Sequence, residues 1–493
     1  MQEEKLTQSL LHNKLLLKGL FGAATDFYTK DVCLGGVRCC ICMFEGLSSI
    51  ERLWVMMLDI LSHADTPLPQ NDAEALYRFI LCETAIPLEH KSVLTVEDAR
   101  AQLTAGTTLL LIDGVDRGLV LSTQSMQFRS VSQPSGEGNI RGSREGFTEL
   151  LRVNISLVRR LIRTEGLMVE TSVAGARTKT ELALLYDRDL VPPQLLRTVK
   201  RRLAACSLPF VFDSGYLAAF LQKSRFSFFQ SVGYTERPDT AAARICEGKI
   251  VLLVNGSPFA MVAPCFFSEQ FGTMDDYSEK AYFASLLRVL RYAAFFIAVL
   301  LPGAFVSVAN FTPELLPQEM LYKVASAELA TPLPLFAEAL LINFLLEIVR
   351  EAGLRLPHPI GHSVSLVSAL ILGDAAVSAG LLSTPMVIVS ALTAICAFVV
   401  PNLYEPVTVL RLLFILAGGL LGPVGMVALF LYMLFNLCSM NAFGIPYTAP
   451  LAPASRAFLR DGLLRRSWRT LAKSDFSIRD LAPKEGEDGT QSD

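Results

Sequence analysis

Charged and apolar positions are interleaved through roughly the first 280 residues, as in a globular chain, and from residue 292 to 455 they give way to long uncharged runs. The chain therefore divides into a soluble part and a membrane part. Residues 1–25 have helical spacing with Leu10, Leu11, Leu15, Leu16 and Leu17, and read as a lead-in helix of unassigned role. From Asp31 the pattern turns α/β. An apolar run over 37–44 predicts a strand, helical spacing follows over 49–62, 71–82 and 96–102, and residues 108–122 read as a hairpin turned at Asp113-Gly114. Beyond a linker rich in Ser, Gln, Pro and Gly the order returns. Phe44 and Tyr186, Glu45 and Asp187, and Asp113 and Asn255 share one offset of 142 residues, which predicts two related α/β subdomains. Within the second of them, residues 142–164 have helical spacing with Arg152, Arg159, Arg160 and Arg163 on a basic side, the usual pattern of a solvated face.

In the second part, residues 292–311 are uncharged and follow Arg288 and Arg291, so they read as a first crossing that leaves the cytosol. Residues 333–349 return, ending at Arg350 and Arg355, and carry Glu338, Asn343 and Glu347, side chains that must face protein or water at membrane depth. Further candidates are 363–382, 386–400, 407–421 and 425–440, the last two separated by Gly422-Pro423. That makes six crossings, or four if the central hairpin does not span. An even number leaves both termini in the cytosol, as the Arg-rich tail and the absence of a signal-peptide pattern suggest.

Composition narrows the chemistry. With 493 residues and a net charge of −3, neither nucleic acid nor a purely electrostatic membrane contact is suggested. Ten scattered cysteines, with Cys39, Cys40 and Cys42 inside a strand-like run, read as buried reduced thiols. His358 and His362 are the one close histidine pair, but Pro359 and Gly361 between them argue against a metal site. No phosphate loop, nucleophile elbow or zinc-protease motif occurs in the soluble part, so neither an enzyme nor a cofactor is expected. Between His362 and Glu405 the one ionised side chain is Asp374. On a helix, Ser363, Leu370, Asp374 and Ser378 fall within about 80° of one another, a mostly apolar stripe with polar points that suits a gate, with Leu370 as its constriction. Ser365 and Ser368 fall on another side. Residues 292–455 hold eight acidic and four basic side chains, a balance that favours cations.

The sequences GSREGFTE (142–149), RTKTELALLY (177–186), DSGY (213–216), YTERPD (234–239), NGSPF (255–259), VLRYAAFFIAVLLP (289–302), EALLINFLLEIVREAGLRLP (338–357) and PIGHSVSLVSALILGDAAVSAGL (359–381) resemble the GerA spore germination family, the A subunits of spore nutrient germinant receptors. The resemblance extends from about residue 20 to the basic tail. It implies an integral subunit of the spore inner membrane that works with a transporter-like B subunit and a lipoprotein C subunit. It further implies that the assembly responds to small nutrients, and that the subunit is a homo-oligomeric, channel-like ion conduit in contact with membrane lipid. It marks Arg144, Glu145, Gly146, Phe147, Glu236, Arg237 and Pro238 as family motif residues. Family members commonly have Glu at Asn343, Asp at Asn255, Pro at Ser143 and often Gln at Asp374. The fold expected is an α+β/α multi-domain chain, two related cytosolic α/β subdomains followed by an α-helical integral membrane domain. Its divisions are 1–130, a linker at 131–142, 143–285, the membrane domain at 286–455 and a cytosolic tail at 456–493. A non-conducting scaffold and, further off, a secondary transporter are the alternatives.

Overall fold

The computed structural model describes residues 4–22, 24–62, 69–82, 92–124, 134, 136–139, 141–222, 227–355, 374–452, 461–471 and 478. The first unit holds strands β1 (Phe27–Leu34), β2 (Val37–Phe44), β3 (Ser92–Val93), β4 (Thr108–Ile112) and β5 (Gly118–Leu121), with helices α1 (Leu10–Phe21), α2 (Ile50–Ser62), α3 (Ala73–Cys82) and α4 (Val96–Thr104). Its sheet runs β1-β2-β4-β5-β3 with antiparallel neighbours. The second unit holds α5 (Leu151–Leu161), β6 (Leu167–Ala174), β7 (Thr180–Asp187), α6 (Pro193–Ala204), α7 (Gly215–Leu221), β8 (Gly233–Thr235), α8 (Pro238–Cys246), β9 (Ile250–Val254) and β10 (Ala260–Ala263). Its order, β6-β7-β9-β10-β8, is that of the first.

Every residue of β4 (TLLLI) and β9 (IVLLV) is buried, because helices cover both faces of each sheet. Side chains alternate between the faces. Cys40, Cys42, Phe44, Leu109 and Leu111 pack with α1 and α4, whereas Cys39, Ile41, Met43, Leu110 and Ile112 pack with α2 and α3. The cysteines of this run are free. Burial pushes the Cys39 thiol up to about 12, and the Cys265 thiol likewise up to about 12. In the native protein at about pH 8, a maleimide should label the exposed Cys33 and Cys82 and leave Cys39 and Cys265 until denaturation, since the thiolate is the reacting form. Native labelling of Cys39 as fast as Cys33, read by mass spectrometry, would contradict this packing.

The duplication reaches further than its strands. Asp113, after β4, accepts a hydrogen bond from the backbone N–H of Leu10 at 3.2 Å, and Asn255, after β9, accepts one from Leu151 at 3.2 Å. Asn13 Oδ1 accepts from the Thr7 N–H at 2.9 Å, and Asn154 Oδ1 accepts from the Thr148 N–H at 2.8 Å. Each asparagine also donates back to that threonine's carbonyl at 2.6 Å. Both helix entries are thus locked by one loop, written Thr-x-x-Leu-x-x-Asn in each. The supposed lead-in helix is α1, the first unit's counterpart of α5.

The basic side of α5 is only partly solvated, a second correction. Arg159 is buried and grips Asp26 of the first unit through two bonds of 2.8 Å, with its guanidinium 4.5 Å above the Phe44 ring. Arg152 pairs with Glu45 of the first unit, and Arg100 of the first unit pairs with Glu165. Arginine suits such a site because its planar fork matches a carboxylate.

The remaining helices are α9 (Asp275–Ser278), α10 (Ala281–Phe311), α11 (Gln318–Leu329), α12 (Leu335–Arg355), α13 (Thr384–Val399), α14 (Tyr404–Ser439) and, in the tail, α15 (Trp468–Leu471). Two stretches, Ala281–Phe311 and Pro401–Ser439, are long and apolar enough to cross a membrane. Helix α14 breaks at Gly422, whose φ of 61° and ψ of −146° favour glycine, and Pro423 follows. There the chain doubles back. A Cβ built on Gly425 would stand 2.7 Å from the Ala417 carbonyl oxygen, and Phe296 of α10 lies 6.5 Å from Phe430 while Phe311 sits beside Gly422. The two halves, 404–421 and 423–439, are each about 26 Å long. Of the six segments read from the sequence, five fall on α10, α12, α13 and these halves; most of 363–382 lies outside the described residues. Phe229, Phe267, Phe271 and Phe295 join the second unit to α10, with Phe267 and Phe295 at 5.8 Å and Phe271 stacked on Tyr292 at 3.9 Å.

Candidate functional site: buried polar groups among apolar helices

Helices α10, α12, α13 and α14 turn apolar side chains outward and bury polar ones such as Arg288, Glu338, Asn343, Thr393 and Arg411. On α13, Ile388, Leu392, Ile395 and Phe398 are exposed at helical spacing, while Ser390 and Thr393 are buried. This reverses the polarity of a soluble bundle. Glycines allow the helices to close on their polar interior, since a Cβ on Gly303 of α10 would collide with the Phe414 carbonyl and one on Gly418 with that of Gly303.

Helix α12 supplies the carboxylates. Glu338 is fully buried, and its Oε2 accepts hydrogen bonds from the Ser383 backbone N–H at 3.0 Å and hydroxyl at 2.6 Å. It thereby satisfies a donor at the start of α13 that no Ser383 side-chain cap serves. Asn343 Nδ2 donates to the Ala339 carbonyl at 2.7 Å. Glu338 Oε1, Asn343 Oδ1 and Ser390 Oγ are buried and have no hydrogen-bond partner among the described residues.

Glu347 is the centre of a network that ties α12 to α14. It accepts from Arg411 at 2.8 Å, from the Tyr404 hydroxyl at 2.9 and 3.0 Å, from the Thr408 hydroxyl at 3.4 Å and from Arg350 Nε at 3.0 Å. Arg350 also lies 4.0 Å over the Tyr404 ring. Residue pattern alone singles out Glu347 but not its partner. Arg411 was nonetheless a signal, because it is the one Lys or Arg between Arg355 and Arg456 and a lone cation in an apolar helix requires a carboxylate.

The gate residues stand differently. Asp374 and Ser378 are exposed on this single chain, and Ser363 and Leu370 lie outside the described residues, as do Ser365, Ser368, His358 and His362. Of the four, Asp374 and Ser378 are the ones among the described residues. Among them no group of three His, Cys, Asp or Glu side chains is arranged to hold a metal ion.

The family motif residues meet in the second unit. Buried Arg237 holds Asp239 at 3.0 and 2.6 Å and donates to the Ser143 carbonyl at 2.9 Å. The Phe147 N–H donates to the Glu236 carbonyl at 2.7 Å, Glu236 Oε1 accepts from Gly136 at 3.2 Å, Pro238 opens α8, and Glu145 pairs with Arg160. Gly146 and Phe147 are buried and Arg144 is exposed. Burial pushes the neighbouring Glu137 carboxyl up from its ordinary value. The two motifs thus pin one loop. Of the departures from the family pattern, Asn255 is neutral here because it keeps the accepting oxygen of an aspartate, whereas the Ser143 hydroxyl accepts from the Glu145 N–H at 3.2 Å, a bond that a proline could not make.

A further network, unforeseen from the sequence, lies where the second unit meets α10. Fully buried Asp276 accepts from Arg288 at 2.8 Å and Arg291 at 2.9 Å, and Asp461 of the tail accepts from Arg288 at 2.9 Å and from the Tyr277 hydroxyl at 2.7 Å.

The profile of the Bacillus/Clostridium GerA spore germination protein family matches residues 16–476. The chain is 33% identical over 490 residues to spore germination protein KA of Bacillus subtilis (strain 168), covering 97% of this chain and 89% of that one. It is 32% identical to spore germination protein GerLA of Bacillus cereus, covering 94% of this chain and 95% of that one. Among solved structures, the N-terminal domain of the A subunit of the Bacillus megaterium spore germinant receptor GerK3 matches at 24% identity with a TM-score of 0.42, over 54% of this chain and 99% of that one.

Proposed function

Since the chain belongs to the GerA family of spore germination proteins, we propose that it is the A subunit of a nutrient germinant receptor in the spore inner membrane, and that copies of its helical part form a cation path. The reversed polarity of α10, α12, α13 and α14, with buried Glu338 and partly buried Glu347 turned to the helix contacts and aliphatic side chains outside, is the observation that carries the membrane reading. Lipid would cover the outer surface. The tail touches the second unit and the base of α10, through Asp461 on Arg288 and the Ile478 N–H on the Glu247 carbonyl, which supports placing both ends of the chain on one side. Arg350 and Arg355 favour the cytosolic side. A transporter-like B subunit and a lipoprotein C subunit complete the assembly in this reading.

The excess of acidic over basic side chains in residues 292–455 supports cations as the permeant species. The test is conductance of the purified full chain in a planar bilayer. Cation-selective current is expected, reduced in Asp374→Asn, and Leu370→Ser should leak and cause spores to germinate without nutrient. Absence of current from folded, oligomeric protein, together with dormant Leu370→Ser spores, would leave a non-conducting scaffold as the better reading.

A further inference from the structure

We propose that the first three turns of α10 and the docked tail segment 461–471 form one patch that seats on the headgroups of an anionic lipid leaflet. The inference rests on the membrane reading above and assigns a lipid contact to residues outside the apolar spans. Helix α10 has 31 residues, about 46 Å, against roughly 30 Å for a hydrocarbon core and 40–45 Å with headgroups. Its first turns therefore exceed the core and fall at headgroup level.

Those turns are charged in sequence but not on their outer side. Arg288 and Arg291 point inward to Asp276 and Asp461. Taking Tyr282 as the origin, Leu286, Val289 and Leu290 lie within about 80° of it, whereas Ala284, Arg288 and Arg291 lie roughly opposite. The first group is exposed and Ala284 and Arg288 are buried. The apolar outer surface of α10 thus begins at Tyr282, ten residues before the uncharged run.

The tail extends that surface along its flank. Ser285 Oγ donates to the Arg465 carbonyl at 3.1 Å and accepts from the Arg465 N–H at 3.0 Å, and buried Arg465 donates to the Glu279 carbonyl at 2.7 Å. Trp468 gives its indole N–H to the Tyr277 carbonyl at 3.1 Å and lies 5.3 Å from the Arg465 guanidinium, yet the residue is 58% exposed. An amphipathic ring fixed at one edge and open at the other suits the membrane interface. Leu464 is exposed beside it, and so are Lys280, Arg466 and Arg469, which have no ion pair among the described residues. Apolar and aromatic side chains interleaved with these cations, continuous with a membrane helix, match anionic lipid in both charge and depth.

The chain has two tryptophans, so Trp54→Phe leaves Trp468 as the single reporter. The full-length variant is placed in nanodiscs of phosphatidylcholine with or without phosphatidylglycerol, each with and without a nitroxide on the lipid headgroup. More than half of the Trp468 emission should be lost to the nitroxide in phosphatidylglycerol discs and clearly less in phosphatidylcholine alone. About 0.5 M salt should close that gap, as should Arg466→Gln with Arg469→Gln. If Trp54→Phe reduces yield, the difference between the unaltered chain and Trp468→Phe supplies the same signal. Emission quenched by aqueous iodide and not by the nitroxide places the patch in water; emission quenched by neither places it under a second copy or another protein. Either result overturns the proposal. Failure of the membrane reading shows separately, as chain that does not co-elute with discs.

Discussion

Glu347→Leu is expected to destabilise the helical part by about 3–5 kcal/mol, the usual consequence of stranding a buried charge whose partner is removed. The stranded group is Arg411, which is buried between α12 and α14 and loses the one carboxylate it pairs with among the described residues. Tyr404 and Thr408 lose their acceptor in the same step. Glu347→Gln keeps an oxygen for those hydroxyls and removes the charge, so it should fall between the two, with protein present but signalling impaired. Thermal stability of the detergent-solubilised chain, read alongside its level in the membrane fraction, measures both. A leucine variant as stable and abundant as the unaltered chain would remove the network from any account of how α12 is held.

Gly303→Val should be comparably severe. Its Cβ would meet backbone, the Phe414 carbonyl, and Gly418 faces it across the same crossing, so neither helix has a side chain that can swing away. Overpacking commonly costs about 1–3 kcal/mol, and a collision with main chain belongs at the top of that range. Gly19 is the internal control. It lies within α1, and a methyl group added there would have nothing within 4 Å, so Gly19→Ala should be neutral or stabilise by about 0.5–1 kcal/mol through helix propensity. If both substitutions changed the melting temperature equally, the close crossing of α10 and α14 would be wrong.

The strands could be read from the chain because their composition leaves little choice: runs such as TLLLI and IVLLV are buried on both sides, and the shared offset of Asp113 and Asn255 reflects a shared task, the cap on α1 and α5. The role of α1 lies outside the strand pattern, in the loop before it, where Thr7 and Asn13 repeat as Thr148 and Asn154. Arg159 looked solvated since spacing gives the side of a helix a residue occupies and not what faces that side; its partner Asp26 is 133 residues away. Glu347 and Arg411 are 64 residues apart, so a charge rule could say that each needs a partner without choosing it. The kink was legible in Gly422-Pro423, while the full reversal there depends on Gly425 finding room against Ala417.

The attachment of the tail has a mechanical consequence. The chain enters the helical part through α10 and comes back out to the same place, where Asp461 is bound to Arg288 and Ile478 is buried with its N–H on Glu247 of the second unit. The helices are therefore strung on a closed loop whose clasp is the second unit. A rotation of that unit cannot be taken up by one loose end; it pulls on α10 and on the segment following α14 together, as turning a key moves both sides of a lock. Cutting the tail after residue 452 would open the clasp, leaving the covalent entry through α10 and the side contacts of the second unit, such as Gln230 on Glu405 and Phe228 on Tyr432, to transmit the rotation.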